Sequence, residues 1–474
     1  MLFIEYRFLA FFLVVFAGHW ALRPSWARKV WLLVASYGFY AAWDWRFLAL
    51  IWTSTLVNYL VGLRLRVEER EQRRRVLLTA SVIVNLGLLG FFKYFGFFVD
   101  SAVELLGWLG LDPGRPAVEI VLPVGISFFT FQAMSYTIDG YRRVLTPTRD
   151  LLDVALFVAF FPQLVAGPIV RAADFMPQLL SRRVFAEVAV RPALVLFLVG
   201  FVKKAVLADN AAVVADAYFS DPAAASGFAA FLGVGAYAAQ IYGDFSGYSD
   251  MAIALGALLG YRLPLNFDYP YLARNITDFW RRWHISLSTW LRDYLYVPLG
   301  GNRGGRLFTY RNLMLTMLLG GLWHGAAWRF VVWGGLHGVA LIAHREWVRR
   351  RPDGLRVPGG AVLATAATLY WVCLAWIFFR AQDLETAWTA TRSFLFLDGI
   401  GDLSLTAFDG RLAAGGIALV LAGLLGYHVA ARMGAFRWWD RLPGWAFSGL
   451  YGAAVPVVLA FVPVAAAPFI YFQF

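Results

Sequence analysis

Apolar runs long enough to cross a lipid bilayer recur along this chain, and the charged residues fall in the short segments between them. The first runs lie at about 3 to 22, 30 to 43, 46 to 63 and 76 to 99. Of the 474 residues, 60% are hydrophobic and only 15% are charged, which leaves too little polar surface to cover a soluble globule. The sequence therefore predicts one integral-membrane domain over residues 1–474, an all-α polytopic protein with roughly 10 to 13 membrane helices.

The basic residues predict how the chain is oriented. The formal net charge is +12, and much of the excess lies in short loops such as residues 64–75. Lys and Arg in short loops stay on the cytoplasmic side of a membrane, so this pattern places the N-terminus outside and residues 101–116 in an outer loop. Because the positive charge has this explanation, we predict no nucleic-acid partner.

Two segments interrupt the apolar pattern, one by prolines and the other by lysines. The segment FFPQLVAGPI contains Pro162 and Pro168, which cannot donate helix hydrogen bonds, so it predicts a re-entrant or broken helix, with an ordinary kinked span as the alternative. Lys203 and Lys204 stand together near the end of another apolar run, where they either reach an interface or face an aqueous cavity. Asp244 and Asp250 further along are interpreted as helix caps or as cavity residues.

Residues 275–338 form the predicted catalytic core, because they place histidines among apolar residues. His284 lies in a dense belt of Trp and Arg that predicts a helix on the membrane surface. His324 follows a long apolar run and should lie at bilayer depth, where an ionisable side chain is costly and indicates function. The two positions cannot share one helix face, but they could converge in a bundle.

Large apolar residues recur at three- and four-residue intervals over residues 277–296, which predicts one amphipathic helix ended by Pro298 and the glycines after it. The polar side of this helix carries Arg281, Arg282 and Arg292. One interpretation is a membrane-surface helix with no further role. The other is a site that holds an anionic, phosphate-bearing donor, since guanidinium groups bind phosphate well.

The residue types indicate acid–base chemistry more than any other kind. Desolvation keeps a histidine in apolar surroundings neutral, and a neutral imidazole can accept a proton as a general base. The sequence has no His-Glu-x-x-His helix, no Gly-x-Ser-x-Gly elbow and no phosphate-binding loop. His337 and His344 have no acidic or thiol partner nearby, and the single cysteine, Cys373, lies in an apolar run, so we predict no metal site.

The block WRRWHISLSTWLRDYLYVPLGGNRGG, followed by GGLWHGAAWRFVVWGGLHG, resembles the signature region of the membrane-bound O-acyltransferase family. It is most similar to the bacterial branch that acetylates alginate, with relatives that act on peptidoglycan, cellulose and teichoic acid. The segments LPVGISFFTFQ, FFPQLVAGPI, DFSGYSDMAI, LPLNFDYPY and the terminal PFIYFQF also resemble parts of that branch. The resemblance therefore covers most of the chain.

This resemblance implies a bundle with re-entrant or broken segments around a central tunnel. It places His324 at the position of the family's catalytic histidine and His284 at that of a second, more variable polar partner. The family transfers an acyl group from a thioester to a hydroxyl, which implies acetyl-CoA or another acyl thioester as donor substrate and no bound cofactor. Residues expected to bind this donor or line the tunnel are Trp280, Arg281, Arg282, Trp283, Arg292 and Trp323.

The expected function is O-acetylation of an extracellular or periplasmic polysaccharide by a multi-pass enzyme of the bacterial inner membrane. The expected partners are membrane lipid, a periplasmic or extracellular protein that completes the transfer, and the polysaccharide synthesis machinery. A transporter or flippase for a polymer or lipid-linked sugar is the alternative from another class, and it would move substrate without consuming a thioester. A structural scaffold for a polysaccharide synthase would tolerate replacement of both histidines.

Overall fold

The computed structural model describes residues 1–111, 113–114, 120–350, 359–396, 414–462 and 470, without the side chains of 414–420 and 435–437. Every regular element in these ranges is a helix, which confirms the all-α prediction. The chain divides into two compact units, one formed by residues 1–194 and 251–264 and the other by residues 195–250 and 265–474.

The first unit contains the N-terminal helices. Its first four helices follow one another with short connections, as expected for antiparallel neighbours in a helical membrane protein. The elements are α1 (Tyr6–Ala21), α2 (Ser25–Asp44), α3 (Leu48–Val67), α4 (Glu71–Leu89), α5 (Phe95–Trp108), α6 (Ile126–Tyr141), α7 (Leu151–Ala159), α8 (Phe161–Leu164) and α9 (Ala172–Leu180). The next helix, α10 (Val190–Phe201), leads into the second unit.

The second unit contains the predicted catalytic core. Its elements are α11 (Asp209–Ser220), α12 (Gly227–Leu258), α13 (Ile276–Arg282), α14 (Ile285–Leu291), α15 (Arg306–His324), α16 (Trp328–Arg350), α17 (Gly360–Arg380), α18 (Leu384–Phe396), α19 (Ala414–Arg432) and α20 (Gly444–Ala460). The last residues of α12 belong to the first unit.

Three helical stretches of the described chain are long and apolar enough to cross a membrane: Ser25–Val67, Glu71–Trp108 and Gly360–Arg380. A short 3₁₀ turn at Trp45–Phe47 divides the first of them into α2 and α3. The helices α1 and α20 are apolar but shorter. These stretches agree with a membrane protein, while the total of 10 to 13 spans and the central tunnel stay predictions.

Two local predictions in the first unit have different outcomes. The chain is broken within FFPQLVAGPI, where α7 ends at Ala159 and the four-residue α8 places Pro162 in its first turn, so the predicted break is confirmed. The prediction of an outer loop at residues 101–116 is wrong for its first half. Residues up to Trp108 belong to α5, because the apolar run of α4 continues through a π-helical turn at Gly90–Tyr94.

Two lysines and three aspartates of the second unit form a buried charge cluster. Lys203 lies 2.6 Å from Asp250, and Lys204 lies 2.7 Å from Asp209 and 2.9 Å from Asp244. The interpretation of the two aspartates on α12 as helix caps is wrong, because both lie inside that helix. Buried ions need such pairing to offset the cost of leaving water, so the cluster ties α12 to the segment after α10.

The hairpin of α15 and α16 carries His324 and His337 and is packed very closely. A Cβ added at Gly334 would lie 2.3 Å from the carbonyl oxygen of Met317, and one added at Gly321 would lie 2.2 Å from that of Phe330. Small residues let helix backbones approach in this way. Before the hairpin, Gly300, Gly301, Gly304 and Gly305 all have positive φ, which confirms the predicted turn.

Candidate active site

His284 and His324 meet in the interior of the second unit. Their ring centroids are 6.2 Å apart, and the planes are inclined by 55°. Both side chains are buried, with 0% exposure for His284 and 4% for His324. The predicted convergence is confirmed. His284 is enclosed by protein, and its position at the membrane surface stays a prediction.

Aromatic side chains enclose the two imidazoles. The ring of Trp323 lies 5.9 Å from that of His284 and 5.0 Å from that of His324. Phe245 of α12 meets His284 edge-on at 4.6 Å, while Trp333 and Phe379 meet His324 edge-on at 5.0 and 5.2 Å.

These apolar surroundings lower the pKa of the His284 imidazole by desolvation. His284 is not part of a membrane-spanning helix, since it stands between two helices of seven residues each. A lowered pKa keeps the ring neutral near pH 7 and therefore able to accept a hydrogen bond or a proton.

A break in the backbone places His284 in the interior. The prediction of one helix over residues 277–296 is wrong, because α13 ends at Arg282 and α14 begins at Ile285. Between them His284 adopts a left-handed conformation with φ 43° and ψ 55°. Side chains with a Cβ are strained in this region, and residues held there cluster at functional sites.

Asn266 holds the residues next to His284 in place. Its carbonyl oxygen accepts a hydrogen bond from the backbone N–H of Ile285 at 2.9 Å. Its side-chain Oδ1 accepts from the backbone N–H and the hydroxyl of Ser286 at 3.2 and 2.8 Å. Its Nδ2 donates to the hydroxyl of Ser249 at 3.0 Å, which fixes the amide against α12. These bonds replace those that a continuous helix would make and so stabilise the break.

The three predicted donor-binding arginines have different surroundings. Arg282 pairs with Asp278 at 2.7 Å and lies 3.7 Å from Asp268, and Arg292 pairs with its neighbour Asp293 at 2.6 Å. Arg281 is exposed, and within the described part of the chain its guanidinium forms no ion pair. It is therefore the one whose charge is most available to an anion.

The predicted tryptophans extend the aromatic wall. Trp283 stacks on Phe279 at 5.6 Å and meets Trp376 at 4.9 Å, and Trp280 meets Trp333 at 5.7 Å. Through Trp333 this wall connects to His324. Trp280 and Trp283 are thus linked to the candidate site by packing, while Trp323 contacts both histidines directly.

Several residues of the site were not foreseen from the sequence. Phe245 and Phe379 lie outside the predicted core of residues 275–338, and Asn266 precedes it. Phe245 and Asn266 do lie in the segments DFSGYSDMAI and LPLNFDYPY, which resemble parts of the same family. The resemblance could therefore have indicated both as candidate site residues. In the described ranges the structure has no group of three or more His, Cys, Asp or Glu side chains arranged to hold a metal ion.

A buried pair of histidines enclosed by aromatic rings, in an all-α chain with membrane-spanning helices, fits a membrane enzyme that works by acid–base catalysis. Residues 120–357 match the sequence model of the MBOAT family, the membrane-bound O-acyltransferases. The chain belongs to this family. It is therefore an acyltransferase and a membrane protein, as the sequence predicted.

Curated relatives match over most of their length. The chain is 46% identical over 419 residues to the probable alginate O-acetylase AlgI of Azotobacter vinelandii, covering 86% of this chain and 80% of that protein. It is 47% identical over 396 residues to the protein of the same description from Pseudomonas aeruginosa, with 82% and 74% covered. It is 40% identical over 425 residues to the peptidoglycan O-acetyltransferase of Helicobacter pylori, with 82% and 79% covered. All three are described as O-acetylating proteins, which gives no support to the transporter alternative.

Proposed function

We propose that this chain is an O-acetyltransferase for an exported, alginate-like polysaccharide, in the cytoplasmic membrane of a bacterium. The observation that carries the chemistry is the buried pair of His284 and His324, whose rings are 6.2 Å apart. The names of the relatives support the class of substrate, since five of those matched are described as probable alginate O-acetylases.

The proposed reaction moves an acetyl group from a thioester, most simply acetyl-CoA, to a hydroxyl. The hydroxyl oxygen attacks the thioester carbonyl carbon, the new C–O bond forms, and the C–S bond breaks. His324 takes the proton of the hydroxyl, and that proton then passes to the departing thiolate. General base help of this kind contributes about 10²- to 10⁴-fold to a rate.

His284 is assigned a different part in this scheme. Its ring lies close enough to His324 for both to contact one acyl group between them. In the proposed scheme it orients the thioester carbonyl or shares in the proton transfer. The aromatic enclosure excludes water, which would otherwise hydrolyse the thioester.

The donor is proposed to approach from the cytoplasmic side, with its phosphates near Arg281. The basic character of the segment at residues 345–351 supports that orientation, because short Arg-rich loops stay in the cytoplasm. The acceptor would come from the opposite side. A periplasmic or extracellular protein that passes the acetyl group to the polymer, and the polysaccharide synthesis machinery, are the proposed partners.

The test is His324→Ala in cells that make the polymer, with membrane insertion confirmed and acetate on the secreted polymer measured. The expected result is loss of acetylation to background, with the amount of polymer unchanged. Normal acetylation in this variant would remove His324 from the chemistry. Purified protein should also release thiol from acetyl-CoA when an acceptor is present, and His324→Ala should not.

A further inference from the structure

An open groove on the second unit lies apart from the two histidines. It consists of two adjoining cavities of about 740 and 660 Å³. Tyr271, Ala366, Leu369 and Leu425 line both, so the two are continuous. Neither His284 nor His324 lines either cavity.

One half of the groove is positively charged. Its lining includes Arg274, Arg282, Arg432 and a single acid, Asp278. Arg282 is paired with that aspartate at 2.7 Å. Arg274 and Arg432 are exposed, and among the residues that the structure describes their guanidinium groups have no ion-pair partner. Two cationic side chains therefore line one recess whose single acid, Asp278, is already paired with Arg282.

The other half of the groove is apolar. Phe231, Cys373 and Phe394 line it together with the shared residues. The remaining lining residues are alanines, leucines, one tyrosine and one glycine. Phe231 and Tyr370 are 48% and 38% exposed there, and Leu425 is 47% exposed. The two carbon atoms of an acetyl group do not need an apolar recess of this size. A recess of this size fits an occupant with long hydrocarbon chains.

The two halves together match one kind of molecule. Arg binds phosphate through several donors at once, and basic recesses between membrane helices bind anionic lipid head groups. A hydrocarbon chain next to the head group would fill the apolar half. We propose that this groove is a specific site for one anionic phospholipid, with the phosphate at Arg274 and Arg432 and an acyl chain along Tyr370 and Leu425. This site is separate from the proposed acetyl-transfer chemistry.

The test is native mass spectrometry of the full chain in detergent, titrated with dioleoyl-phosphatidylglycerol or dioleoyl-phosphatidylcholine at fixed salt. The wild type should bind the anionic lipid more tightly. The double variant Arg274→Gln/Arg432→Gln should bind it roughly 10- to 30-fold more weakly, because each cation near a lipid head group contributes about 1 kcal/mol. Ala366→Trp should weaken binding of both lipids by filling the groove.

The matched control is Arg303→Gln, which removes an exposed arginine with no ion pair in the described chain and outside the groove. It should leave binding of both lipids unchanged. Equal affinity of the wild type for the two lipids, or full retention of phosphatidylglycerol by the double variant, would overturn the proposal. So would displacement of the bound lipid by coenzyme A, which would make the groove part of the donor site. Because the readout is binding alone, its failure is distinguishable from failure of the acetyl-transfer proposal.

Discussion

Asn266 Oδ1 accepts hydrogen bonds from both the backbone N–H and the hydroxyl of Ser286, two residues beyond His284. One amide oxygen thus fixes the start of α14, and with it the left-handed turn at His284. The hydrogen bonds of Asn266 go to Ile285, Ser286 and Ser249, so it acts on His284 through the backbone. It is therefore a positioning residue.

Asn266→Ala should reduce the rate of acetyl transfer about 10- to 100-fold while the KM for the donor changes little, because a displaced base costs rate more than binding. Asn266→Asp should retain more activity, since it keeps an oxygen that can accept from Ser286. The control is Ser249→Ala, which removes only the bond to Nδ2. Steady-state kinetics on purified protein measures these effects. Equal rates for the Ala and Asp variants would argue that the oxygen has no positioning role.

Because His284 has a left-handed backbone conformation, Gly and Ala variants can distinguish the role of its side chain from that of its conformation. His284→Gly and His284→Ala should both lose acetyl transfer by about 100-fold or more, because each removes the imidazole. In thermal unfolding, however, the Gly variant should be more stable than the Ala variant by about 1 kcal/mol, since only glycine adopts positive φ without strain. An alanine variant as stable as the glycine variant would contradict the turn, and substantial activity in either would make His284 structural.

The close approach of α15 and α16 predicts a sharp contrast between adjacent glycines. Gly334→Ala would place a Cβ 2.3 Å from the backbone oxygen of Met317, so the helices must separate. We expect a loss of about 1 to 3 kcal/mol in the free energy of unfolding. The control is Gly335→Ala, whose Cβ would lie 3.6 Å from the flexible Leu318 side chain. Similar melting temperatures for the two variants would disprove the close packing.

The buried ion pair of Lys203 and Asp250 predicts that a second substitution restores the stability lost by the first. Lys203→Met leaves the Asp250 carboxylate without its cation in a buried site, which should cost about 3 to 5 kcal/mol of stability. The double variant Lys203→Met/Asp250→Leu should recover most of that loss, because no charge is then buried alone. Thermal unfolding in detergent measures both. A double variant no more stable than the single one would mean that the two residues act independently.

The sequence predicted the helical class, the break near Pro162 and the convergence of two histidines 40 positions apart. Each rests on a local property, such as composition, proline chemistry or the cost of an ionisable group in lipid. The break at His284 depends instead on hydrogen bonds from Asn266, 18 positions earlier. The spacing of apolar residues within 277–296 contains no information about that residue. The aspartates of α12 were misassigned for the same reason, since Lys203 and Lys204 reach them only through tertiary packing.

The tight hairpin of α15 and α16 also limits how the enzyme can move. His324 ends α15, and Trp333 on α16 lies against its ring. With backbone atoms of the two helices already in contact around Gly321 and Gly334, α15 cannot move closer to α16 during turnover. Any opening that admits the acyl donor or the acceptor must therefore come from other elements around the pair, such as α12, α14 or α17. His324 therefore keeps its place against Trp333, and the substrates reach the histidine pair from the other sides.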